Sequence, residues 1–259
     1  MRKIMFDDKY GLTEAVLTGR KTMTRRVVPA KVAQMIEAFA NPTLLVPLDC
    51  IPNGMSIEEF EQQWKNYDAP VFIQPKSKEK IKFYDARKEA VKLALYKIGE
   101  EIAIAQSYND VFDNFKGHKG KLKQLYKNLN PKEAAWNNKM FVKASMMPHR
   151  IRITDVKVER LQDISDEDCA KEGIIHVNWR QYLKQDMDDF SPQPYKDHDL
   201  WTLPIFEESF RDAWAEQKPG EYAAESAKVA FAVLIFKLMG KKVWEQNPWV
   251  FAYEFELVK

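Results

Sequence analysis

HRIRITDVKVERLQDISDEDCAKEG, from His149 to Gly173, is the stretch on which the fold turns. Ile151, Ile153, Val156 and Val158 stand in near period-two alternation, the signature of a strand with one buried face; the slip in that alternation predicts a bulge at Thr154 and Asp155. Ser165 with Asp168 three residues on forms a capping box, acids crowd the positive start of the helix it opens, and Gly173 suits its end. A long bulged strand therefore runs into a two-turn helix held by its caps.

Outward from this unit the pattern repeats. NPWVFAYEFELVK at the C-terminus places Trp249, Phe251, Tyr253, Phe255 and Leu257 on one face of a second strand. YKIGEEIAIAQSY (Tyr96 to Tyr108) is a turn centred on Gly99 followed by a strand carrying Ile102 and Ile104. Near the N-terminus, RKIMF is a short apolar run. GLTEAVLTG after it is a brief helix with Leu12, Val16 and Leu17 on one face and Gly19 as its stop. Further helices are predicted at KVAQMIEAFA, SIEEFEQQWKNY, FEESFRDAWAEQ and YAAESAKVAFAVLIFKLMG. The lysine-rich NFKGHKGKLKQLYKNLN reads as a solvated amphipathic helix, with a nucleic-acid face as the alternative. Short helices between half-buried strands give an α+β class, for which a small, partly open barrel is one solution.

With 259 residues, 45 % of them hydrophobic, the chain can fill a core of its own. Forty basic against 38 acidic residues leave a net charge of +2, so any affinity for nucleic acid must come from local patches. The two cysteines, Cys50 and Cys169, are too few and too distant for a disulfide scaffold, and the four histidines show no metal-binding spacing. No metal and no cofactor are expected. No apolar run is long enough to span a bilayer and the N-terminus lacks a signal-peptide core, so a cytoplasmic protein without a membrane partner is expected.

The series EAVLTGRKTMTRR, YKIGEEIAI, RITDVKVERLQDISDEDCAKEGI and NPWVFAYEFELV resembles the ASCH domain, a PUA-like β-barrel family, in the longer form common in phage and prophage genomes. The resemblance covers 4–28, 95–106, 139–175, 205–215 and 244–258 of one domain, and leaves 31–90, 107–138, 176–204 and 216–243 as insertions. It implies a PUA-like small mixed β-barrel with short helices and helical insertions. Families of this fold are associated with RNA binding, and one bacterial branch is an amidohydrolase that removes the acetyl group from the exocyclic amine of N-acetylcytidine. Its functional Lys and Thr fall on Lys21 and Thr24, and its Glu on Glu172. The resemblance thus implies Lys21 as base, Thr24 as nucleophile and Glu172 as orienting or acid group, with Arg20, Arg25 and Arg26 as ligand contacts. The implied partner is RNA or a modified nucleoside. A non-catalytic RNA-binding module and a mobile-element accessory protein that binds another protein are the alternatives.

Elementary chemistry sets conditions on that set. A lysine serves as base only if its pKa falls well below about 10.4, through burial or through like charge such as Arg20, Arg25 and Arg26. The alternative for Lys21 is a cation answering the C-terminal end of the preceding helix. Residues three apart in a straight strand point to opposite sides, so Lys21 and Thr24 can converge only across a bend, which Thr22 could support. Glu172, in the last turn of its helix, is unfavourably placed unless a cation such as Lys21 answers it. Arg25 and Arg26 offer planar forks for phosphate or carboxylate, or else make surface salt bridges. Trp201, Trp214, Trp244, Trp249 and Tyr253 include candidates for base stacking, with core packing as the alternative, above all for Trp249.

Overall fold

The structure, a computed structural model, describes residues 1–40, 71–75, 81–114, 130–177, 200–203 and 224–258, with isolated positions between 55 and 62. In chain order the regular elements are β1 (Lys3–Ile4), α1 (Leu12–Leu17), β2 (Met23–Val27), α2 (Ala30–Ala40), β3 (Val71–Pro75), β4 (Ile81–Asp85), α3 (Ala86–Val91), β5 (Glu101–Ile104) and α4 (Tyr108–Asn114). They continue with α5 (Ala134–Asn137), β6 (Arg150–Arg160), α6 (Asp166–Lys171), β7 (Ile175–Val177), β8 (Leu200–Thr202), α7 (Ala227–Met239), α8 (Lys241–Gln246) and β9 (Trp249–Val258). Apart from those isolated positions, the helix expected at SIEEFEQQWKNY lies outside the described residues, as do the helix expected at FEESFRDAWAEQ, the lysine-rich stretch from Lys116 to Lys127, and Trp214.

The His149 to Gly173 unit folds as its pattern dictates. β6 pairs with β9 along its length, and the register slips between Ile153 and Asp155, where the alternation breaks. Ser165 accepts the N–H of Asp168 to open α6, and Gly173 leaves it at φ 99°. The mixed sheet runs β1-β5-β6-β9-β2, with β1 parallel to β5 and the other pairs antiparallel. Ile102, Ile104, Ile151, Ile153, Phe251, Tyr253 and Phe255 form one core with Leu12 and Val16 of α1 and Phe231, Leu234 and Ile235 of α7. β9 is more deeply placed than its alternation predicts. Val250 and Ala252, on its second face, are buried as well, because α6 and α7 come over that side.

The expected barrel is not closed among the described residues. β1 and β2 remain the sheet's two edges. Closure requires a ladder partner at every edge, and β1 is only two residues long before the chain turns through Asp7–Gly11 into α1. The segment after β1 instead reaches β2 and β9 through side chains. Arg26 Nη2 donates to Met5 O at 2.7 Å, and Phe6 packs on Phe255 with ring centroids 5.8 Å apart. At the two ends of β2, Thr22 O accepts from Phe255 N and Val28 N donates to Trp249 O. Alternation in an antiparallel ladder then turns the N–H and C=O of Met23, Arg25 and Val27 away from β9, toward the open edge. Among the described residues no helix is long and apolar enough to cross a membrane.

Candidate functional site

A cavity of about 680 Å³ lies where the two sheet edges face one another. Lys21, Thr24, Arg25 and Glu172 line it, all buried, and Arg26, Asp8 and Lys9 stand exposed at its mouth. Local structure delivers the lysine. α1 ends at Thr18, Gly19 turns the chain at φ 77°, and Lys21 N returns to Ala15 O. Thr22 N then donates to Lys171 O, which fastens the start of β2 to the end of α6. The bend required between Lys21 and Thr24 is thus made by main-chain bonds of Thr22 to α6 and to Phe255 of β9.

This places the Lys21 ammonium at the C-terminal end of α6. Nζ donates to the Glu172 carbonyl at 2.8 Å and to Glu172 Oε2 at 2.5 Å. The cation answers a helix dipole, but that of α6 rather than α1, and pairs with the helix-end carbonyl and the carboxylate together. Burial pushes the Lys21 pKa down; Glu172 opposes this, while Arg26 and Arg25 add to it. Arg20 stands apart: it is exposed, donates to Thr18 Oγ1 at 3.2 Å and is not in the cavity lining. Thr24 lines the cavity beside Lys21 without a hydrogen bond to it.

Arg25 departs from the expected rim contact. Its side chain is 1 % exposed and its fork is spent on three carboxylates. Nη1 donates to Glu172 Oε1 at 3.0 Å, Nε and Nη2 to Glu159 Oε1 at 2.9 and 2.6 Å, and Nη2 to Asp168 Oδ2 at 2.9 Å. The guanidinium also lies over the Phe231 ring, 5.8 Å from its centroid. No fork remains for a ligand phosphate. Lys157 completes the cluster, 2.5 Å from Asp168 and 3.4 Å from Glu159. Three cations (Lys21, Arg25, Lys157) thus balance three carboxylates (Glu159, Asp168, Glu172), the condition under which buried charge is tolerable. Burial works against the charge of Arg25, but the carboxylates of Glu172 and Glu159 outweigh it and raise its pKa. Burial likewise opposes Asp168, and Lys157 and Arg25 nonetheless hold its carboxyl below the usual range.

Several site residues escape a reading of the sequence. Asp168 is legible as a capping residue, yet only its backbone N–H serves the cap while its carboxylate grips Arg25. Glu159 and Lys157 are ordinary strand residues in the pattern. The cavity wall formed by α7 comes from 216–243, a segment that reads as an insertion, and its near-uniform hydrophobicity conceals which face matters. The aromatic candidates among the described residues are not in the cavity lining. Trp249 is buried against Arg160, whose guanidinium lies 4.3 Å from the ring centroid. Tyr253 accepts Leu95 N inside the core. Trp244 packs on Phe231 and Phe236, and Trp201 on His176. Among the described residues no group of three or more His, Cys, Asp or Glu is placed to hold a metal ion.

Compared with protein-family models, curated proteins and solved structures, the chain gives no match.

Proposed function

We propose that the chain is an ASCH-type, PUA-like protein whose cavity binds a modified nucleoside, free or within RNA, and hydrolyses an acyl group from its exocyclic amine. The observation that carries this reading is the buried Lys21–Glu172 pair on the floor of a cavity that Thr24 also lines. In the first half-reaction neutral Lys21 takes the Thr24 hydroxyl proton as Oγ attacks the amide carbonyl carbon; the C–N bond then breaks and the lysine's proton leaves with the amine. Water next attacks the acyl-threonine ester and gives a proton to Lys21. Collapse frees the carboxylic acid and returns that proton to Thr24.

Glu172 holds Lys21 in place and is itself held by Arg25, so the base sits in a preset orientation. Backbone N–H groups of β2 that face the open edge are the natural donors for the developing oxyanion. The alternative, non-catalytic capture of an RNA chain, needs free cations; the neutral floor and the commitment of Arg25 to carboxylates weigh against it. Incubation with N-acetylcytidine, followed chromatographically, should release cytidine and acetate, and Lys21→Met or Thr24→Val should abolish the release. Turnover that survives both substitutions, or no binding and no turnover at all, refutes the reading.

A further inference from the structure

Five side chains of α7 line the cavity: Phe231, Leu234, Ile235, Leu238 and Met239. Their spacing of i, i+3, i+4, i+7 and i+8 makes one helical stripe, about 12 Å long at 1.5 Å per residue. Phe231 lies under the Arg25 guanidinium that holds Glu172, so the stripe begins at the catalytic floor. It runs outward from there to Met239, which is 37 % exposed. Apart from the floor of Lys21, Thr24, Arg25 and Glu172, polar side chains line the mouth, where Asp8, Lys9 and Arg26 are exposed. An acetyl substrate presents one methyl beyond its carbonyl and would leave most of this wall uncovered. A cavity of about 680 Å³ falls within the roughly 300–1,000 Å³ typical of sites that enclose whole ligands.

We infer that the preferred substrate carries an apolar acyl group larger than acetyl, laid along α7, with the sugar or phosphate of the nucleoside at the charged mouth. The inference rests on the hydrolase reading of the same site and adds the acyl specificity. The wall acts by desolvation: each methylene that leaves water for an apolar surface improves binding about fourfold. Hydrolysis consumes one water and yields the longer carboxylic acid with the free amine.

The test compares N-acetyl-, N-butyryl- and N-hexanoylcytidine, by kcat/KM on the wild-type protein and by calorimetric Kd on Thr24→Val, which binds without turnover. From acetyl to butyryl, two methylenes, both measures should improve about sixteenfold. Leu238→Gln and Met239→Gln, at the solvent end of the stripe where folding tolerates change, should each compress the hexanoyl-to-acetyl ratio. Acetylcytidine bound and hydrolysed with no gain for the longer chains overturns the acyl inference and leaves the hydrolase reading standing. Failure of all three to bind or react overturns both.

Discussion

Arg25→Met keeps the length and apolar body of the side chain and removes only the cation. Arg25 is 1 % exposed and reaches Glu159, Asp168 and Glu172 within 2.6–3.0 Å, so the substitution strands carboxylates that cannot turn to bulk water. Removing one partner of a buried pair typically costs about 3–5 kcal/mol. The lower end applies here, because Lys157 remains on Asp168 and Lys21 on Glu172. A loss of about 3 kcal/mol in a chain of this size lowers Tm by about 6–12 °C. The assay is thermal unfolding followed by circular dichroism, with Arg26→Met in parallel. Arg26 is exposed and makes one bond, to Met5 O, so its loss should move Tm by no more than about 2 °C. The Arg25 deficit should be largest at neutral pH and narrow on acidification, since a protonated carboxyl needs no cation. Equal, small effects from the two arginines would refute the buried clamp.

Hydrolysis by neutral Lys21 should rise with pH along a limb centred below the ordinary lysine value of 10.5, since burial lowers the folded pKa. Arg26→Gln, which removes a like charge acting on Lys21, should move that limb to higher pH; a limb that stays put argues against Lys21 as base. Because the folded pKa of Lys21 is depressed, the unfolded chain binds more protons between that value and 10.5. Its contribution to stability therefore increases with pH across this window, and Lys21→Met should flatten that slope in urea titrations. Ser165→Ala removes the acceptor for Asp168 N and should cost about 1 kcal/mol in chemical denaturation. Cys169 is fully buried, and burial pushes its thiol up to about 12; peptide mapping should find it unalkylated by iodoacetamide in the folded protein and alkylated in urea.

The β6–α6 unit was readable because its signals are local. Alternation, a broken alternation, a capping box and a terminal glycine each act within a few residues of chain. The convergence of Lys21 on Glu172 was legible only through resemblance and through the misplaced charge at the end of α6. Their separation of 151 residues leaves no local trace. Arg25 and Arg26 are adjacent and chemically identical in sequence, yet one is a buried clamp and the other an exposed rim residue. Strand alternation sends neighbours to opposite faces, and only the packing of α6 and α7 over one of those faces decides which arginine is enclosed. The open edge between β1 and β2 and the apolar stripe of α7 belong to the same class of outcome. By itself, then, the sequence determined the α+β class, the strands β5, β6 and β9, the helices α1, α2, α6 and α7, the caps of α6 and the basic stretch, because those follow from propensity, period and dipole within a turn or two. Tertiary structure alone decided which charges are buried together and which helix walls the cavity, because burial and charge balance are properties of surfaces brought together from distant parts of the chain.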